Sequence, residues 1–114
     1  MKTIIALIFT VAIAAALIAQ TPSTTPRVIE ISAKKFEFTP NVVKLTKDVP
    51  ITIRLTSTDR AHGLFVRALH IDLDADEESA EVTITPHEAG TYAAICDHYC
   101  GSGHGNMRMT FIVE

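Results

Sequence analysis

Four side chains of the types that bind soft metal ions are grouped near the end of the chain. Cys96, Cys100, His104 and Met107 follow one another at spacings of 4, 4 and 3 residues. Thiolate, imidazole and thioether donors select copper over magnesium or calcium, and a mixture of all three favours a copper electron-transfer site over tetrahedral zinc. The segment therefore predicts a copper site.

The glycines of the same segment predict a loop rather than a helix. The spacing of the donors would also fit one face of a helix. However, Gly101, Gly103 and Gly105 are three of the five glycines in the chain, and each would cost a helix interior about 1 kcal/mol relative to alanine. A glycine-rich loop between two strands can instead fold tightly and turn the four donors toward one point.

A fifth donor, His62, lies far upstream at the start of an apolar stretch. In a β-sandwich, its strand can lie beside the strand that leads to Cys96. Two histidines, two cysteines and one methionine exceed the needs of one four-coordinate ion but suit two copper ions that share both thiolates. Three alternatives stay open: a disulfide between Cys96 and Cys100, a mononuclear copper site, and a zinc site.

Other candidate residues are assigned by position. Met107 and Met109 are two apart in a predicted strand and share a face; we prefer Met107 as the donor, because it adjoins the loop, and assign Met109 to the core. Asp59 is either an ordinary turn residue or a hydrogen-bond acceptor that orients the His62 segment. The remaining histidines, His70, His87 and His98, are expected at the surface or in turns by their side chains.

Short runs with alternating apolar residues predict the scaffold that positions these donors. Period-two alternation is typical of half-buried strands, and no long stretch has helical periodicity. The predicted fold class is therefore an all-β, Greek-key β-sandwich. The acidic stretch 72–78 is expected to be a solvated loop. The predicted strands are 28–31, 36–38, 43–45, 51–55, 82–84, 91–95 and 107–113.

Length and composition limit the protein to one small domain. The chain has 114 residues, and sixteen of its first twenty are hydrophobic. We expect a signal peptide or short membrane anchor over 1–20, a polar spacer over 21–26, and one domain over 27–114. A net charge of −3 argues against nucleic-acid partners. Two cysteines exclude a scaffold of several disulfides.

Three segments together resemble the binuclear copper A domain of cytochrome c oxidase subunit II and of nitrous oxide reductase. They are 96–107 (CDHYCGSGHGNM), 57–63 (STDRAHG) and 86–92 (PHEAGTY). The resemblance implies a cupredoxin β-sandwich in which Cys96 and Cys100 bridge two copper ions. It further implies that His62 and His104 each bind one copper ion. Two weak ligands complete the implied set, namely the Met107 thioether and the backbone carbonyl of His98.

The resemblance also implies what the domain does. It would accept an electron from a cytochrome c or a cupredoxin and pass it on, with a membrane oxidase subunit as a further expected partner. No small-molecule substrate is expected, and the protein by itself would not be an enzyme. The leader implies the periplasm or the outer face of the cytoplasmic membrane. The alternative functions are a copper carrier or metallochaperone and a mononuclear cupredoxin.

Overall fold

The computed structural model describes residues 25–114, so the predicted leader and most of the spacer lie outside the described residues. This part of the chain forms nine β-strands and two short 3-10 turns, Arg67–Leu69 and His104–Asn106. No helix within it is long and apolar enough to span a membrane. The strands are β1 (Arg27–Lys34), β2 (Glu37–Thr39), β3 (Val42–Leu45), β4 (Ile51–Ser57), β5 (His62–Val66), β6 (Ile71–Ala75), β7 (Ala80–Ile84), β8 (Gly90–Ile95) and β9 (Arg108–Val113).

The strands form two sheets, and the predicted all-β sandwich is confirmed. One sheet has the order β2-β1-β4-β7, and the other has the order β3-β9-β8-β5-β6. Most neighbouring strands are antiparallel, while β1 pairs with β4 and β3 pairs with β9 in parallel. Parallel pairs require that the chain cross between the sheets. As a result, the two sheets are linked by several crossings and share one core.

The core follows from the alternation seen in the sequence. In β1, Ile31 and Ala33 are buried and the residues between and after them are not. In β9, Met109, Phe111 and Val113 are buried in the same alternating way. These side chains point inward from opposite sheets and fill the space between them, as expected for sheets that pack face to face. Burying a large apolar side chain such as that of Ile31 or Phe111 contributes about 1.5–3 kcal/mol. The core therefore holds the ends of the strands in fixed positions.

The prediction that 72–78 is a solvated loop is wrong over its first half. Residues Ile71–Ala75 form β6, in which Leu73 is buried while Asp72 and Asp74 are exposed. The apolar and acidic residues of this segment alternate with the period of a strand. Aspartate is depleted in strands, so the two aspartates favoured the prediction of a loop. β6 is the edge of its sheet, where charged side chains discourage pairing with another chain. The turn begins only after Ala75.

The order of the strands also explains how distant residues meet. β8 lies between β5 and β9 and is antiparallel to both. Ile95, the last residue of β8, pairs with Arg108 at the start of β9 and with Phe65 in β5. The residues that follow β8 therefore lie beside the start of β5. We call this end of the sandwich the loop pole. His62 begins β5, Cys96 follows β8, and Met107 precedes β9, so all three lie at this pole.

Candidate metal centre

The two cysteine thiols lie side by side at the loop pole. Cys96 follows the last residue of β8, and Cys100 lies in the loop between β8 and β9. Both are buried, with 3% and 0% of the residue exposed, and both are free thiols. Their sulfur atoms are 3.7 Å apart, well beyond the ~2.05 Å of a disulfide bond. Two sulfur atoms at this separation can both contact one metal ion.

Backbone groups of two segments surround the Cys96 sulfur. The N–H of Gly63 donates to this sulfur at 3.4 Å, and the thiol lies 3.1 Å from the carbonyl oxygen of His98. A side chain at residue 63 would disturb the arrangement, because a Cβ there would lie 3.0 Å from the His98 nitrogen. Glycine thus allows β5 to approach the ligand loop closely enough for its N–H to reach sulfur.

His62 is buried with one ring nitrogen satisfied and the other unpaired. Its Nε2–H donates to Asp59 Oδ1 at 2.6 Å, while its Nδ1 is buried and has no hydrogen-bond partner among the described residues. One ligand atom from each of His62, Cys96 and Cys100 can be chosen so that all three lie within 4.8 Å of one another. A buried, unpaired ring nitrogen costs free energy, and a metal ion at this cluster would satisfy it.

Asp59 orients His62 through a fixed carboxylate. Its second oxygen, Oδ2, accepts a hydrogen bond from the backbone N–H of Lys35 at 2.8 Å. The pKa of the Asp59 carboxyl is lowered to about 2, chiefly by the hydrogen bond from Lys35 and further by the hydrogen bond from His62. The carboxylate is therefore ionised at neutral pH. An ionised acceptor on Nε2 keeps the proton there and leaves Nδ1 free as a ligand atom.

The remaining predicted donors reach the cluster from the ligand loop. Nδ1 of His104 lies 3.6 Å from the Cys100 sulfur, and Sδ of Met107 lies 3.8 Å from it. A 3-10 turn shapes this part of the loop, with the His104 N–H donating to Gly101 O and the Met107 N–H donating to His104 O, both at 3.1 Å. The Cys96 N–H then donates to Met107 O at 3.2 Å, which closes the loop.

The thiol of Cys100 is protonated in the metal-free protein. Burial first, and then the hydrogen bond and charge of Cys96, raise the pKa of Cys100 to about 11. Metal ions bind thiolates rather than thiols, so binding at neutral pH would release the Cys100 proton. The donor set fits copper, because two thiols, two imidazoles and a thioether are soft to borderline ligands.

The other histidines are exposed, and Met109 is buried in β9 with Phe111 and Val113. The side chains of His70, His87 and His98 belong to exposed residues, and His98 Nδ1 lies 3.8 Å from Asp74 Oδ1 rather than at the thiols. His98 thus contributes only its backbone carbonyl to the surroundings of Cys96.

One residue beside the site cannot bind metal, and its contact with the ligand loop was not predicted from the sequence. Phe36, between β1 and β2, packs its ring against the backbone of Gly101 and Gly103. A lone phenylalanine in an alternating run has no local feature that would reveal such a contact. The glycines of this segment predicted a tight loop, and a glycine does not identify the residue that packs against it.

The chain matches a known protein family and is similar in sequence to known proteins. A family model described as a cupredoxin-like domain matches residues 3–113. Cytochrome c oxidase subunit 2 from Thermus thermophilus is 32% identical to this chain over 87 residues, which are 75% of this chain and 64% of that protein. The chain therefore spans less than two thirds of the length of this relative.

Solved structures share the fold at lower sequence identity. The periplasmic domain of subunit II of cytochrome oxidase from Bradyrhizobium japonicum has a TM-score of 0.70 and 16% identity, covering 76% of this chain and 83% of that one. Auracyanin A, a blue copper protein from Chloroflexus aurantiacus, has a TM-score of 0.62 and 19% identity, covering 79% of this chain and all of its own length. Both likenesses concern the β-sandwich.

Proposed function

Because this chain belongs to the cupredoxin-like domain family, we propose that residues 27–114 form an electron-transfer domain with a binuclear copper centre. Its metal ligands are the side chains of His62, Cys96, Cys100, His104 and Met107 and the backbone carbonyl of His98. Homology to cytochrome c oxidase subunit 2 supports this proposal. The observation that carries it is the buried, unpaired Nδ1 of His62 beside two free thiols.

The number of donors supports two ions rather than one. Cys100 lies within 3.8 Å of three other donor atoms, on Cys96, His104 and Met107. The His98 carbonyl lies next to the Cys96 sulfur, and a ligand atom of His62 lies within 4.8 Å of those of both cysteines. Five side chains and one carbonyl exceed the coordination of one ion, while two sulfur atoms 3.7 Å apart can be shared by two.

The residues of the chain prepare the centre before metal arrives. Two copper ions held by these residues would supply the electron-carrying group, with the charge of one electron shared between them. Asp59 holds His62 in one orientation, the Gly63 N–H donates to the Cys96 sulfur, and the core beneath excludes water. Since His62 and Gly63 lie in β5 and Asp59 is held by the backbone N–H groups of Lys35 and Arg60, little in the protein has to move when the charge of the centre changes by one electron. Small reorganisation is what an electron carrier requires.

The setting of the domain is proposed from the same homology. The expected leader, 1–20, would export the domain to the periplasm or hold it at the outer face of the cytoplasmic membrane. A cytochrome c or another cupredoxin would be the electron donor, and a membrane oxidase subunit the acceptor. By itself the domain would move electrons without transforming a small-molecule substrate.

The copper-to-protein ratio together with the EPR spectrum of the oxidised protein tests the proposal. We expect two copper ions per chain and hyperfine structure from two equivalent copper nuclei. Replacing Cys96 with serine should abolish that spectrum, while Asp76→Ser, a substitution in the exposed turn after β6, should leave it unchanged. One copper ion per chain with the absorption of a blue copper site would overturn the proposal.

A mononuclear cupredoxin site is the second candidate, and one observation favours it. Cys100, His104 and Met107 already form a compact set, which His62 could complete without Cys96. In that case Cys96→Ser would leave the copper spectrum largely intact. The same variant therefore separates the two candidates.

A further inference from the structure

Phe36 joins the β1–β2 turn to the ligand loop. The turn consists of Lys35 and Phe36, between the end of β1 and the start of β2. The ring of Phe36 leaves the residue 37% exposed and lies against the backbone of Gly101 and Gly103. The loop is thus covered from outside by one aromatic ring that supplies no metal ligand.

The fit between ring and loop leaves no room for a side chain at residue 103. A Cβ on Gly103 would lie 2.6 Å from Cγ and 2.7 Å from Cε2 of Phe36, distances that real Cβ atoms do not reach. The backbone of Gly103 has φ −91° and ψ 4°, a conformation open to other residues. Glycine is required at this position by the ring of Phe36 and not by its own backbone.

Gly105, in the same loop, provides a contrast. A Cβ placed on Gly105 would meet nothing within 4 Å. The two glycines are two residues apart and flank His104, yet only Gly103 lies under the ring. Alanine substitutions at residues 103 and 105 therefore differ in their effect on Phe36, whose ring only the first would disturb.

The same turn also holds the other side of the metal centre. The backbone N–H of Lys35 donates to Asp59 Oδ2, and Asp59 Oδ1 accepts from His62 Nε2. One two-residue turn thus contacts the ligand loop through a side chain and reaches His62 through a carboxylate. It links the segments that supply the two histidine ligands, although it comes from the opposite sheet.

We propose that Phe36 is a positioning residue that, from the β1–β2 turn, fixes the glycine-rich loop so that His104 is held near Cys100 before metal binds. The proposal rests on the proposed function. Glycines lose more conformational freedom on ordering than other residues, so a loop with three of them would be costly to order at the moment of binding. A ring packed on the loop in the metal-free protein removes much of that cost from the binding step.

The test uses the whole chain with five variants: Phe36→Ala, Phe36→Leu, Gly103→Ala, Gly105→Ala and the double variant Phe36→Ala with Gly103→Ala. Phe36→Ala should speed hydrogen exchange of the amides of His104, Asn106 and Met107 in the metal-free protein at least tenfold. It should also speed transfer of copper to a chelator by about 10- to 100-fold, the usual effect of losing a group that supports metal ligands.

The glycine variants separate positioning from general stability. Gly103→Ala should alter the EPR hyperfine pattern and speed copper loss, whereas Gly105→Ala should leave both as in the unsubstituted protein. In the background of Phe36→Ala, where the clash is gone, Gly103→Ala should add little further effect. Phe36→Leu, which keeps an apolar side chain, should fall between Phe36→Ala and the unsubstituted protein.

Two results would overturn the positioning role. One is exchange and copper transfer in Phe36→Ala equal to those of the unsubstituted protein, and the other is equal damage from Gly103→Ala with and without Phe36. If the unsubstituted protein fails to bind two copper ions but the exchange effect is present, the proposed function fails and the positioning of the loop stands. The two failures are thus distinguishable.

Discussion

Replacing Asp59 with asparagine should weaken copper binding by about tenfold. The carboxylate accepts hydrogen bonds from the N–H of Lys35 at 2.8 Å, from the N–H of Arg60 at 2.7 Å and from Nε2 of His62 at 2.6 Å. Asparagine retains one oxygen, which can still accept from His62 and Arg60. Its NH2 group would face the N–H of Lys35, so one hydrogen bond and the negative charge are lost.

The magnitude follows from the kind of hydrogen bond that is lost. A hydrogen bond to a charged group contributes about 1.5–3 kcal/mol, and the lower end applies because the Asp59 side chain is 32% exposed. A free-energy change of about 1.4 kcal/mol corresponds to a tenfold change in affinity. The loss should appear in metal affinity, since Asp59 acts on the ligand His62, with only a small decrease in the unfolding temperature of the metal-free protein.

Asp48→Asn is the matched control. Asp48 lies between β3 and β4, at the end of the sandwich opposite the loop pole, and its Oδ1 accepts from Nδ1 of His87 at 2.9 Å. Both members of this pair are exposed. The control removes the same charge from an aspartate–histidine pair that touches no donor, so copper affinity should not change.

Competition with a chromophoric copper chelator measures the affinities. In a His62→Ala background, Asp59→Asn should have no further effect on copper affinity, because the residue through which it acts is absent. An affinity for Asp59→Asn equal to that of Asp48→Asn would refute the positioning of His62 by Asp59. So would a tenfold loss that persists without His62.

Two further predictions follow from the site. Because the pKa of Cys100 rises from 9.0 to about 11 on folding, the metal-free protein should lose stability as pH rises through this interval. Copper binding near pH 7 should release the Cys100 proton. Calorimetry in buffers of different ionisation enthalpy measures that release, and its absence would contradict a thiolate ligand. Met107→Leu should raise the reduction potential, since losing a donor destabilises the oxidised state, while Met109→Leu in the core should leave the potential unchanged in voltammetry.

Local features of the sequence were sufficient to propose the donors and to predict most strands. Cys96, Cys100 and Met107 have side-chain types with few roles besides metal binding when they occur in one short, glycine-rich segment. The alternation of apolar residues in β1 and β9 likewise reports a local property, the two faces of a strand. Features of this kind need no knowledge of what lies across the fold.

Features that depend on contacts between distant segments were not predictable in the same way. β6 was missed because Asp72 and Asp74 are poor strand formers that an edge position tolerates. The contact of Phe36 with Gly103 joins two sheets, and its effect is visible only as the absence of a side chain. His62 could be named as a donor from its residue type, but the unpaired Nδ1 depends on Asp59 and on the packing around both residues.

The ligands of the site differ in how firmly the fold holds them, because some adjoin strands and others lie in a loop. His62, Cys96 and Met107 adjoin strands whose positions are fixed by the core, so their separation is determined by the pairing of β5, β8 and β9. Cys100 and His104 lie in the glycine-rich loop, where no ladder of strand hydrogen bonds restrains them. Their positions therefore depend most on an added contact, and Phe36 is a side chain that supplies one. Variation in the β1–β2 turn should therefore alter the properties of the centre more than variation of equal size in the core beneath it.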